Sequence, residues 1–170
     1  RVRRWPVSQC SILGTPDSYT GEVVVVFPHV VTVFNVWEDD DLDKHFNITI
    51  LRGVLLDISK GANIAKTGLS DADAATLYIP FTVTAESTTG DVKRYKEPKA
   101  FYAADNPGEF WTLDSGGESS STSTYFAKGE ISEQMSLKEL RQAHEYVYDV
   151  STVDIRDFGG DMAHWQVGGK

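Results

Sequence analysis

Apolar and polar positions alternate with a period of two along much of this chain, which predicts strands rather than helices. The clearest stretch places Phe46, Ile48, Ile50, Val54, Leu56 and Ile58 on one face, opposite Asn47, Thr49 and Asp57. Arg52 falls on the apolar face and Gly53 beside it breaks the alternation, as at a bulge or sharp bend. A long strand bent there suits a small barrel. A second alternating run sets Ala75, Leu77, Ile79, Phe81 and Val83 against Thr76, Tyr78, Pro80 and Thr82, and Pro80 argues for an edge or a bulge.

Shorter runs complete the pattern. Glu22–Phe27 is β-branched and stops at Pro28, and Val30–Trp37 resumes at once, so two strands or one broken strand is expected. Phe110–Leu113, Tyr125–Ile131 and His164–Val167 read as short strands. Tyr146–Ile155 reads as another, with Val147, Val153 and Ile155 in one set and Tyr146, Tyr148 and Val150 in the other. The turn Asp157–Asp161 then closes a C-terminal hairpin. Helical signals are few: Pro98 opens a single turn to Tyr102, and Ser136 with Glu139 forms a capping box that starts a helix presenting Leu137, Leu140 and His144 on one face. Ser59–Gly68 lacks a period and reads as a loop that Leu69–Asp73 continues, Glu86–Arg94 is turn-like, and Asp114–Thr124 is a low-complexity loop. The expected fold is mainly β: a small antiparallel β-barrel or sandwich with one short helix in the C-terminal half.

Domain organisation follows from where the pattern begins. Residues 1–29 read as an N-terminal arm or poorly ordered lead, and residues 30–170 as a single barrel-like domain. The lead opens with Arg1-Val2-Arg3-Arg4-Trp5, but Ser8, Gln9 and Ser11 interrupt the apolar stretch that a secretory signal requires. The lack of an initial Met points to a start inside a longer reading frame or to processing. With 170 residues and a hydrophobic fraction of 41%, the chain can bury one core.

The net charge of −9, from 25 acidic and 16 basic residues, is concentrated in runs such as Glu38-Asp39-Asp40-Asp41 and repels nucleic-acid phosphates. Such a run reads as a solvated loop. The lone Cys10 allows no internal disulfide, which fits an intracellular origin and makes the Asn47-Ile48-Thr49 sequon accidental.

Candidate chemistry is sparse. Cys10 sits in the irregular lead, without the histidine partner that a thiolate nucleophile needs. His29, His45, His144 and His164 show no zinc-ligand spacing, and neither Asp39–Asp41 nor Asp71-Ala72-Asp73 follows a calcium loop. The aspartate pair 71 and 73 reads instead as a cap on a turn before the Ala75 strand. Gly159-Gly160 and Gly168-Gly169 read as turn and tail glycines, since no strand-to-helix loop there could hold a phosphate. Trp111, Tyr125 and Phe126 could stack on bases, yet Glu109, Asp114 and Glu118 flank them, so they are assigned to core or interface packing. No catalytic, cofactor-binding or metal-binding residue is assigned, and the chain is read as not an enzyme.

From Val30 to Lys170 the order of segments resembles a family of small phage particle proteins. The matching pieces include Val31-Thr32-Val33-Phe34-Asn35, Ile50-Leu51-Arg52-Gly53-Val54, Lys60-Gly61-Ala62-Asn63, Tyr78-Ile79-Pro80-Phe81 and Lys128-Gly129-Glu130-Ile131. Further along come Val153-Asp154-Ile155-Arg156-Asp157-Phe158-Gly159 and Met162-Ala163-His164-Trp165-Gln166-Val167-Gly168-Gly169. Specificity rests on their order. The pieces are similar to the head-tail connector, stopper and minor capsid proteins of siphovirus-like phages and prophages. The resemblance implies a virion structural protein, assembled in the host bacterial cytoplasm. It further implies a homo-oligomeric ring that contacts portal, adaptor or tail proteins, close to packaged DNA. The residues themselves point to no cofactor, no specific nucleic acid and no membrane, since no stretch approaches the roughly 18 uninterrupted apolar residues of a span. The alternative of a different class is a small β-barrel that binds nucleic acid, against which the acidic composition argues.

Overall fold

The computed structural model describes residues 27–39, 41–60, 62–65, 68–71, 74–116 and 122–170. Along them run β1 (His29–Glu38), β2 (Lys44–Ser59), β3 (Ala62–Ala65), β4 (Gly68–Asp71), β5 (Ala74–Pro80), β6 (Thr84–Glu86) and β7 (Arg94–Tyr95). The short helix α1 (Pro98–Tyr102) follows, then β8 (Phe110–Trp111), β9 (Thr122–Lys128), the helix α2 (Leu137–Ala143), β10 (Val147–Arg156) and β11 (His164–Gly169). The fold is mainly β, as the alternation predicts. The expected strand over Glu22–Phe27 falls outside the described residues except for Phe27.

Among the described residues, a seven-stranded antiparallel sheet has the order β1-β9-β10-β11-β5-β2-β6, and β1 also pairs with β2. The pairing therefore returns to its start and makes a barrel-like ring. Closure is partial, because β9 and β10 share only the short register from Val147↔Ala127 to Asp149↔Tyr125.

Two strands turn the corners. In β2, residues up to Val54 pair with β1, whereas Leu55–Ser59 pair with β5. Between them Gly53 adopts φ +83°, a left-handed conformation that glycine reaches without steric penalty, and the register shifts there. An extra residue in a period-two pattern exchanges the faces. Leu51 before the bulge and Val54 and Leu56 after it all enter the main core, whereas Ile48 joins a second cluster on the outside of the ring. Hence the six apolar residues from Phe46 to Ile58 do not share one face, contrary to the strict alternation. In β10 the register skips between Val150 and Thr152, so Tyr148, Val150 and Val153 pack in the main core while Val147 faces the second cluster. The expected grouping of Val147 with Val153 fails for the same reason.

Pro80 ends β5. Pairing of this line with β2 stops at Leu55↔Tyr78 and resumes at Arg52↔Thr84 on β6, and the missing proline N–H falls in that gap. Outside the ring, α2 covers β1, β9 and β10 through Leu140, which packs with Phe34, Tyr125 and Val147. Its capping box is formed as expected, Ser136 Oγ accepting from the Glu139 N–H and Glu139 from the Ser136 N–H.

Three loop assignments change. The aperiodic stretch after Ser59 contains the β3–β4 hairpin, a local pairing from Ala62↔Asp71 to Ala65↔Gly68 that needs no apolar period to form. Thr122–Thr124 belong to β9, because β1 offers them a pairing edge. Gly168 and Gly169 lie within β11 rather than in a tail, and a Cβ at Gly169 would stand 2.7 Å from both Phe126 Cζ and Tyr148 Cβ. That position requires glycine because two neighbours already fill the space.

Candidate functional site

The ring is filled by its own chain. The segment leading from β6 to β9 enters it, so that Trp111 and Leu113 pack in the same core as Val31, Leu51, Leu77, Phe126 and Val167. Tyr95, Trp111 and Trp165 form an aromatic cluster inside, with Tyr95 tilted 4.5 Å from Trp165 and edge-on 5.1 Å from Trp111 between ring centroids. Burial pushes the Tyr95 phenol above its ordinary range.

Polar side chains on the inner wall hold this plug. Asn47, Asn35 and Thr124 lie side by side across β2, β1 and β9. Asn35 donates to Thr112 O at 2.9 Å and to Thr124 Oγ1 at 3.1 Å, and accepts from the Thr112 N–H at 3.3 Å. Asn47 donates to Phe110 O at 2.7 Å. The two amides thus give the plug strand the bonds that a neighbouring strand would give, which satisfies backbone groups taken out of water.

Beside the plug lies a groove of about 640 Å³ bounded by the start of β2, the Ser87–Lys93 hairpin, Gly108–Glu109 and residues 132 and 134. Lys93 forms part of its wall and is only 7% exposed. Its ammonium donates to Asn47 Oδ1 and, at 2.8 Å, to Ile48 O. Both acceptors are neutral, so desolvation is uncompensated by any opposite charge and lowers the Lys93 pKa to about 8. Nearby, Asp91 accepts from Thr89 Oγ1 at 2.6 Å, and Glu109 accepts from Asn106 at 2.7 Å.

A different surface lies at the β10–β11 turn. Ile155, Phe158 and Met162 are 55%, 71% and 70% exposed there, and Phe81, 38% exposed, joins them through the bond from its N–H to Ala163 O. Gly159 and Gly160 take φ of +77° and +61°, so both are turn glycines as their spacing predicts.

The histidines expected to be imidazoles without metal are dispersed. His29 Nδ1 accepts from the Leu56 N–H, His45 pairs with Asp39 at 2.8 Å, His144 ends α2, and His164 Nδ1 lies 2.8 Å from Met162 O. In the acidic turn Asp39 accepts from the backbone N–H groups of Asp41 and Asp43, and its bond to His45 is the largest cause that holds its carboxyl below the usual range. That carboxylate organises the β1–β2 turn. Among the described residues no three His, Cys, Asp or Glu side chains are grouped to hold a metal ion. Cys10, and residues 72 and 73 of the proposed aspartate cap, lie outside the described residues. Trp111, Tyr125 and Phe126 are at most 2% exposed and pack in the cores, where no base could stack on them. Asn47 is 5% exposed with its amide bonded inward, so in the folded chain the sequon offers no free acceptor.

Sequence reasoning missed Asn35, Asn47 and Lys93 as residues that position the plug. Asparagine is depleted from strands, so Asn35 within a β-branched run was a signal that something inside required an amide. Lys93, between Val92 and Arg94 in a polar stretch, carried none. No helix of the described residues is long and apolar enough to cross a membrane.

Comparison with curated proteins and with solved structures finds no match to this chain. A family model does match, over residues 27–170, which takes in the whole plugged ring, and the chain accordingly belongs to DUF6751, a family of unknown function.

Proposed function

We propose that this chain is a structural subunit of a bacteriophage particle, a head-tail connector or stopper type of protein that acts by contacting portal, adaptor or tail proteins and further copies of itself. The observation that carries the reading is the grouping of Ile155, Phe158 and Met162, more than half exposed, on a barrel whose interior its own aromatic side chains occupy. Exposed large apolar side chains grouped at one place mark contact surfaces rather than solvent-facing ones. The acidic surface supports the same reading, since a net charge of −9 lets DNA pass nearby without adhering. Segment order in the sequence adds the phage context.

Deletion of the gene from a phage or prophage that carries it tests the proposal. The expected result is separate heads and tails by electron microscopy, together with recovery of the chain in wild-type particles by mass spectrometry. Normally joined particles from the deletion strain, or particles that lack the chain, would refute it.

A further inference from the structure

We propose that the groove beside Lys93 binds a single carboxylate, carried on a ligand that also offers hydrogen-bond donors, through the ammonium of Lys93. An ammonium has three N–H donors. Two of them are taken by Asn47 Oδ1 and Ile48 O, which leaves one without a protein acceptor among the described residues. The positive charge is buried against neutral oxygens alone, whereas buried cations are ordinarily paired. An anion in the groove would supply the missing counter-charge.

The walls define the class of anion. Ser87 and Thr89 bring hydroxyls to the groove, and Asp91 and Glu109 are the other titratable groups that line it. Two carboxylates there disfavour a doubly charged phosphate. A group with one negative charge, flanked by N–H or O–H donors that the wall carboxylates can accept, meets both conditions. The volume of about 640 Å³ suits a small acid or two to three residues of a peptide. This inference stands apart from the virion reading, because it uses none of the exposed residues at the β10–β11 turn.

The test is an amide NMR titration of the full chain with three probes: sodium acetate, N-acetylglycine, and a peptide blocked at both ends that carries an internal aspartate. Sodium chloride at matched ionic strength and sodium phosphate serve as controls. Saturable shifts at Asn47 and the Ser87–Lys93 hairpin are expected with the carboxylates and not with chloride. Tighter binding of N-acetylglycine assigns the site to a free or terminal acid, and tighter binding of the peptide assigns it to an acidic protein segment. With Lys93 near 8, affinity should fall about tenfold from pH 7 to pH 9 as the ammonium is lost. Lys93→Met should abolish the response, and Lys93→Arg, which keeps the charge, should retain it within a few-fold. Absence of saturation, an unchanged response in Lys93→Met, flat pH dependence, or tighter binding of phosphate would overturn the proposal. Should Lys93→Met fail to fold, Lys93→Arg and the pH profile still decide.

Discussion

Gly169→Ala probes the interior most sharply, because the added methyl meets atoms that have nowhere to go. Its Cβ would lie 2.7 Å from Phe126 Cζ, 2.7 Å from Tyr148 Cβ and 3.0 Å from Phe126 Cε1, well inside ordinary van der Waals contact. Phe126 is fully buried, and Tyr148 Cβ is fixed to the backbone of the adjoining strand, so neither can swing aside as a surface side chain would. Relief requires strand β11 to shift. Overpacking of this kind destabilises by about 1–3 kcal/mol. The reduced freedom of the unfolded chain offsets about 0.4–1 kcal/mol, since the position needs no left-handed backbone. A net loss of about 1–2 kcal/mol should lower Tm by roughly 2–8 °C for a chain of this size. Urea unfolding followed by circular dichroism reads it directly. Gly168→Ala is the control, because its Cβ would meet Thr152 Oγ1, a hydroxyl that can rotate, at 2.5 Å. It should cost less than Gly169→Ala. Unchanged or increased stability of Gly169→Ala would refute the close packing of β11 against Phe126 and Tyr148.

Asn35→Ala removes the amide that holds both backbone groups of Thr112, so a loss of about 1–3 kcal/mol in urea unfolding is expected, with faster amide exchange at Thr112 than elsewhere in the core. Thr49→Val should leave stability unchanged or raise it by about 1 kcal/mol, because the Thr49 hydroxyl is buried without a partner among the described residues and the isosteric methyl needs none. The unfolded chain holds the Lys93 proton up to its ordinary pKa of 10.5, but the folded chain releases it near 8. Burial of the charge therefore reduces stability by about 3 kcal/mol below pH 8, and the penalty fades as pH rises from 8 towards 10.5. Compared with Lys93→Met, the wild type should gain relative stability between pH 7.5 and 9.5, and parallel pH profiles would refute this.

Fold class was legible because a period of two survives in most strands: Ala75, Leu77 and Ile79 point inward as their spacing predicts. Facing was less legible, because one extra residue exchanges the faces of everything beyond it. Gly53 gave a visible warning, but the skip beside Ser151 had no glycine or proline to mark it. Gly168-Gly169 looked like a tail because glycine says nothing of what fills the space beside it, and only Phe126 and Tyr148, distant in sequence, show that a side chain is excluded. The plug was invisible for a similar reason. Trp111 read as a strand residue, yet the groups that fix its segment are Asn35 and Asn47, more than sixty residues away along the chain. Lys93 lay within a stretch read only as turn-like, because its burial depends on Asn47 and Ile48, which only the folded ring brings to it.

Native mass spectrometry of the full chain, alone and mixed with phage portal and tail proteins, addresses the assembly role itself. Oligomers or mixed complexes are expected, lost in a Phe158→Asp, Met162→Asp double variant whose melting temperature matches the wild type. A chain that stays monomeric and alone at every concentration, with or without those proteins, would contradict the account.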